Sequence, residues 1–506
     1  MFRSGYRLDQ SKTPFLDGLK QYSLDGIIPF HTPGHKQGRS LDKELRQALG
    51  ELPFRLDVSD EISSPVHDNN SEAVLREAEA LAADAFGADR TFFLHNGTTA
   101  GIQAMLLAVR QLAGHRLFRS RFSQEDVGEV ILPRSVHRSV FGGLVLAGLT
   151  PRFVQETWDE EWNIPLPASI SAWQTAAEAA NQPVAFLETY PSYYGIAGNL
   201  GKVAQLAAEW SRPLLVDEAH GAHFGFHPGL PPTALSLGAA ASAQSAHKVL
   251  GVLTQASLLH TSRQELSELM PAILGILQST SPSFLLYASL DAGRRQMAVE
   301  GRRLWQQALE LSQAARERIN QIPGLQCLDR EILTKPEIAC WDPTRLLIRV
   351  DLLGLSGSQA EKWLRQEGIQ VELAGLNHIL VLVTIGDGPS EVGRLVEALG
   401  KLAQVHAGPV QYSPVRLPKP RVSGKIKLSP RRAMLSHWHA KELTRAIGEI
   451  AASSLTPYPP GIPALVPGEQ ITAESIEYLE ECWQRGIEIR GWADVESKTI
   501  WVVDAD

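Results

Sequence analysis

Cysteine is scarce: the 506 residues contain 3, Cys327, Cys340 and Cys482, odd in number and far apart. Such a set builds neither a disulfide framework nor a zinc site, so a reducing compartment and no metal are expected. Long apolar runs are missing too. One of the longer, Ile379 to Ile385, is strand-sized, well short of the roughly 18–20 apolar residues of a membrane span. The opening stretch, MFRSGYRLDQSKTPF, carries no apolar core and no small-residue cleavage site, so it is not expected to act as a signal peptide. A basic excess is also absent: Lys and Arg total 48 against 56 Asp and Glu, a net charge of −8. A nucleic-acid surface would need clustered positive charge. The expectation is a cytoplasmic protein with neither nucleic acid nor membrane as partner, its mild acidity slightly favouring a cationic substrate.

What is present is ordinary globular composition, 44% hydrophobic and 21% charged, with room for two to four domains at roughly 150 residues each. From about residue 71 helical and strand-like stretches alternate: SEAVLREAEALAADAFGA, TFFLH, AGIQAMLLAV, EVILP, HRSVFGGLVLAG, PRFVQ, PVAFLETY, GKVAQLAAEWS, PLLVDEAH. This alternation predicts a largely parallel sheet covered on both faces. A long helix is expected over about 285–318. It is followed by a second α/β block (RLLIRVDL, SGSQAEKWLRQEG, IQVEL, HILVLVTIG), a Pro/Lys/Arg-rich linker near 407–430 and a helix near 436–452.

Four features carry chemistry. Lys248 stands in Ser245-Ala246-His247-Lys248, flanked by small and apolar residues. It is either a strand-end lysine whose ammonium reaches water or a desolvated amine able to attack a carbonyl. Asp217 closes PLLVD, 31 residues earlier. It is either a helix cap or a carboxylate facing a crevice at the carboxyl ends of the strands. Asn96-Gly97-Thr98-Thr99 lies between strand and helix, where backbone N–H groups and hydroxyls can cradle a phosphate. His137, after EVILP, is either structural or able to stack on a flat ring.

A phosphate cradle, a histidine, a strand-end Asp and a lysine after Ser-x-His, in that chain order, resemble fold-type I pyridoxal-phosphate enzymes. The blocks FHTPGHKQG (30–38), VDEAHGAHFGFHP (216–228), SAHKVLGVLTQASLLH (245–260) and YPPGIPALVPGE (458–469) are similar to those of the Orn/Lys/Arg decarboxylase family. The resemblance implies an aspartate aminotransferase-like α/β large domain over 66–310. An N-terminal segment (1–65) would precede it and a smaller C-terminal α/β region (311–506) would follow. It also implies pyridoxal 5'-phosphate as cofactor and a homodimer or higher homo-oligomer.

By the same resemblance Lys248 is the Schiff-base lysine, Asp217 the partner of the ring nitrogen and His137 the stacking imidazole. Gly97, Thr98, Thr99, Ser245 and His247 would contact the phosphate, and Ala219 and His220 would flank the ring. His220 is also a candidate proton donor. This chain reads Gly-Thr-Thr-Ala where the family often has Gly-Thr-Ser-Thr, one hydroxyl fewer. Its TPGH block begins at Thr32, so the N-terminal wing of the large family members is not expected. The implied reaction is decarboxylation of a basic amino acid, with arginine, giving agmatine, preferred over lysine or ornithine. Asp60, Glu61 and Glu372 are candidates to meet the distal cation. An aminotransferase or carbon–sulfur lyase is disfavoured by the TPGHK and YPPGIP blocks, and a silent regulatory homologue by the presence of both Lys248 and Asp217.

Overall fold

The computed structural model describes residues 8–58, 62, 70–117, 128–406, 424–459 and 461–504. The chain divides into two compact units, Met1–Ala108 with Leu215–Gln307, and Val109–Leu214 with Ala308–Asp506. In chain order the first ten strands are β1 (Arg90–Leu94), β2 (Glu129–Pro133), β3 (Thr150–Val154), β4 (Thr157–Asp159), β5 (Ile164–Leu166), β6 (Pro183–Thr189), β7 (Ile196–Ala197), β8 (Leu214–Asp217), β9 (Ala241–Gln244) and β10 (Ser257–Thr261).

In the first unit β8 runs parallel to β9, with Asp217 opposite Ala243, while β10 runs antiparallel to both β9 and β1. Every residue of β8, β9 and β10 is buried, as expected for strands covered on both faces. The reversal before β10 departs from the parallel alternation expected from the sequence. Its cause is local: a parallel return needs a crossover connection, usually an α-helix packed on the sheet. The link between β9 and β10 contains only the 3-10 turn Ala246–Lys248. That turn carries Lys248. The helix Gly97–Leu117 leaves the end of β1, and its Gly101 lies hard against the sheet. A Cβ there would sit 2.8 Å from Leu94 Cδ1 and 3.2 Å from Ala243 Cβ, so glycine permits the close approach.

In the second unit β2 pairs in parallel with β3 and β6. Its carboxyl-terminal part contains an antiparallel sheet centred on Arg345–Arg349 and His378–Leu382. The helices Gly357–Gln366 and Pro389–Val405 contribute with it to a core that includes Leu346, Ile348, Leu364, Ile379 and Leu399. The long helix is found at Phe284–Asn320. The helix expected near 436–452 is not. A short helix ends at Leu435, and Trp438–Glu442 is a strand paired antiparallel with Thr499–Val503. Pairing with residues some sixty positions away overrides the local helical preference of AKELTRAIGEI.

Candidate active site

Lys248 is held by its turn from both sides. Its N–H donates to Ser245 O at 3.0 Å, and the His247 N–H donates to Ala256 O at 3.2 Å. Nδ1 of His247 also lies 3.1 Å from Ala256 O. Ala246, Val249 and Leu250 are buried around it, which leaves the Lys248 side chain only partly exposed. Lys248 Nζ lies 3.0 Å from His220 Nε2.

His220 follows β8 by a single turn, and Asp217 ends that strand with 3% exposure. Burial pushes the Asp217 carboxyl up to about 6, against the pull of the Lys248 charge and of the Ala219 N–H, which donates to Oδ1 at 3.2 Å. No α-helix starts after Asp217, so the carboxylate closes a turn and does not cap a helix. It stays at the strand's carboxyl end, where open α/β sheets bind ligands.

The candidate phosphate loop is next to this pair in the fold. Gly97 takes φ +71°, a left-handed conformation that glycine adopts at little cost, and opens the helix. The Thr98 hydroxyl is buried, 2.5 Å from Ser245 Oγ and 3.2 Å from Ser257 Oγ. Thr99 is exposed and Ala219 partly exposed. The fold therefore brings together Lys248, Asp217, His220, Thr98 and Ser245 in the first unit. Three buried hydroxyls, one at a helix start and two on the adjoining strand ends, with a buried carboxylate and a shielded amine form a donor set that fits pyridoxal phosphate.

Ser257 was not singled out from the sequence, although its place in TQASLLH, inside the lysine block, is a usable signal. The loop's anchors were also missed. Gln278 Oε1 accepts from the His95 N–H at 2.9 Å and the Asn96 N–H at 3.3 Å, and His95 Nδ1 lies 2.8 Å from the Tyr287 hydroxyl. These partners are more than 180 positions distant, beyond any local pattern.

His137 lies in the second unit, after β2. It caps the helix Arg138–Ala147, Nδ1 accepting from the Ser139 N–H at 3.2 Å, and its ring is exposed. Glu372, also in the second unit, is exposed and accepts a hydrogen bond from the Tyr193 hydroxyl. Asp60 and Glu61 lie outside the described residues.

Glu218 turns away from Asp217 and is wholly buried. It accepts from the Ala234 N–H at 2.8 Å and from Gln244 Nε2 at 3.0 Å, and burial pushes its carboxyl up to about 7. Gln244 Oε1 in turn lies 3.0 Å from His260 Nε2, on an imidazole that burial holds down at about 3 and hence neutral. In the unfolded chain Glu218 has released its proton by about pH 5, while the folded chain keeps it until near 7. The native state thus binds more protons across this window, and stability falls as pH rises through it. The expected result is a melting temperature of cofactor-free protein that declines from about pH 5 to about pH 8, with Glu218→Gln making the decline shallower; Asp217, Glu79 and Glu188, which burial raises in the same direction, contribute the rest. One group displaced by two to three units is worth on the order of 3 kcal/mol. A melting temperature that climbs over this range would contradict the assignment.

Among the described residues no helix is long and apolar enough to cross a membrane, and no cluster of His, Cys, Asp or Glu is arranged to hold a metal. Comparison with known proteins gives matches to both parts of one family: the Orn/Lys/Arg decarboxylase major domain over residues 13–391 and its C-terminal domain over 421–493. Arginine decarboxylase of Bacillus subtilis (strain 168) is 36% identical over 500 residues, covering 98% of this chain and 99% of the relative. Lysine decarboxylase of Pseudomonas aeruginosa is more distant, 25% identical, covering 92% of this chain and 75% of the relative. The solved structure of lysine decarboxylase A from Pseudomonas aeruginosa superposes with a TM-score of 0.80 at 21% identity, covering 98% of this chain and 81% of that one. The aminotransferase-like α/β fold is also shared with alanine–glyoxylate aminotransferase from Nostoc sp., at a TM-score of 0.51, 19% identity and coverage of 65% of this chain and 86% of that one. With lysine, strand-end carboxylate and hydroxyl cradle assembled at one site, and the family matched over both its parts, this chain is a member of the Orn/Lys/Arg decarboxylases.

Proposed function

We propose that this chain is a pyridoxal-phosphate-dependent arginine decarboxylase, releasing agmatine and carbon dioxide. The observation that carries the reading is Lys248 Nζ beside His220, one turn from the buried Asp217, in a chain 36% identical to a named arginine decarboxylase. Lys248 would hold the cofactor covalently, and Asp217 would pair with its ring nitrogen. Thr98, Ser245, Ser257 and the backbone at Gly97 would take the phosphate, with His247 and Thr99 at its margin. Ala219 and His220 would border the ring. When bound, the cofactor supplies an electron sink for the pair left behind by departing carbon dioxide.

The protein's share is orientation, charge and a proton. Asp217, shielded from water, sustains a positive charge on its partner. Lys248 Nζ and His220 Nε2, in hydrogen-bond contact, hold the proton that replaces the lost carboxylate at the substrate's α-carbon. The same contact eases deprotonation of the lysine, which must be neutral to act as a nucleophile.

A homodimer in the cytoplasm is the setting we propose. Exposed apolar side chains crowd the segment that bears the TPGH block (Leu24, Ile28, Phe30, Leu49 and Leu52, with Phe30 92% exposed), which supports a subunit contact there. The substrate is tested by kcat/KM for arginine, lysine and ornithine. Arginine should lead by at least about tenfold, and an equal lead for lysine or ornithine would reassign the substrate while leaving the decarboxylase.

A further inference from the structure

The chain enters the loop at Gly97 and Thr98 through His95 and Asn96, and both are tied to one distant stretch, residues 277–279. Beyond the two N–H bonds to Gln278, the Asn96 side-chain amide donates to Leu277 O at 3.1 Å, and His95 Nε2 lies 3.1 Å from Ser279 O. A carbonyl can only accept, so Nε2 carries the ring proton and Nδ1 is the acceptor. The Tyr287 hydroxyl, 2.8 Å from Nδ1, is then the donor. Burial lowers the His95 pKa, against the opposing pull of the Ser279 carbonyl, and favours this neutral ring. One tautomer and one direction of donation fix the imidazole at the entrance to the loop.

Tyr287 is itself held by the N-terminal segment. Its ring is buried, edge-on to Phe15 with centroids 5.5 Å apart, and Phe15 is edge-on to Phe284 at 5.1 Å. Phe15 lies in the first turn of the helix Pro14–Leu24 and is wholly buried. One turn beyond Tyr287, on the same helix face, Asp291 accepts from the Phe15 N–H at 2.9 Å and the Leu16 N–H at 3.3 Å. Arg294, paired with Asp291 at 2.6 Å, donates to Gln10 O at 2.9 Å and to Lys12 O at 2.6 Å. Both members of this pair are buried, and a buried ion pair needs further hydrogen bonds to offset its desolvation. Residues 10–16 supply them. One face of one helix, at 287, 291 and 294, thus seats the N-terminal segment, and through Tyr287 it reaches the loop.

We propose that Tyr287 is a positioning residue for the cofactor phosphate and that Phe15 acts through it. The seated N-terminal helix aims the Tyr287 hydroxyl, the hydroxyl orients His95, and His95 sets the loop at Gly97 and Thr98. The inference rests on the proposed phosphate role of that loop. It makes the N-terminal helix a contributor to cofactor retention from a distance, within the first unit alone.

The test titrates the full chain with pyridoxal phosphate and, separately, with pyridoxal, which lacks the phosphate. The dissociation constant for pyridoxal divided by that for pyridoxal phosphate measures what the phosphate contributes. Thr98→Ala, in the cradle itself, should cut this ratio about tenfold. Tyr287→Phe removes a hydroxyl and keeps the ring beside Phe15. It and Phe15→Leu should each cut the ratio about fivefold, with pyridoxal binding unchanged to within about twofold. In the background of Tyr287→Phe, the further effect of Phe15→Leu should shrink to within about twofold, the non-additivity of two residues acting through one hydroxyl. If Thr98→Ala cuts the ratio while Tyr287→Phe leaves it unchanged, or weakens both ligands equally, Tyr287 is structural and the positioning role is overturned. Fully additive effects of Phe15→Leu and Tyr287→Phe would overturn the link from the N-terminal helix. If Thr98→Ala leaves the ratio unchanged, the loop is not the phosphate cradle, and the positioning role falls with that reading. Should Phe15→Leu fail to fold, Phe15→Met, which fills the space with a more adaptable side chain, is held to the same outcomes.

Discussion

Lys248→Ala is expected to lower turnover on the order of 10³-fold or more, the largest single loss at this site. On the proposed role of Lys248, the substitution removes the covalent anchor, the nucleophile and one half of the proton-holding pair with His220. Noncovalent cofactor binding should survive in weakened form, because Asp217 and the hydroxyls of Thr98, Ser245 and Ser257 belong to strands and a helix start that do not depend on the lysine. Lys248→Arg should fare no better, since a guanidinium keeps its proton at every accessible pH. A Lys248→Ala enzyme with a tenth of normal turnover would show that the amine is a strand-end cation after all.

Asp217→Asn should cost on the order of 10²–10⁴ in rate. An amide has nearly the same shape and can still accept the Ala219 N–H found at 3.2 Å, so the turn after β8 should persist. What it cannot do is carry charge in a place shielded from water, where that charge counts most. Cofactor affinity should therefore fall less than turnover, and the separation of the two effects distinguishes an electrostatic partner from a structural turn residue. Equal, modest losses in both would favour the structural role.

The parts of this site that were legible in the sequence are those carried by short, local patterns. Ser245-Ala246-His247-Lys248, the strand-end Asp217 and the Gly97-Thr98 helix start each combine a residue type with a position, and the fold places all of them at one end of β1, β8, β9 and β10. The direction of β10 was not legible from helix–strand alternation, because the decisive fact is that the link after β9 holds no crossover α-helix. Gln278, Tyr287 and Glu218 were invisible for a different reason. Their value lies in hydrogen bonds to distant backbone or to a neighbouring strand, which leave no periodicity. The strand Trp438–Glu442 shows the same limit in the backbone: a segment with good helix formers becomes a strand because Thr499–Val503 offers it an edge.

On the proposed function, the amine of Lys248 carries the cofactor. Reconstituting the purified protein with pyridoxal phosphate, reducing it with borohydride and sequencing its peptides by mass spectrometry tests that directly. The expected result is a yellow protein whose visible band is abolished by reduction, with the pyridoxyl group on Lys248 within SAHKVLG. A label on any other lysine, or no retained cofactor, would contradict it.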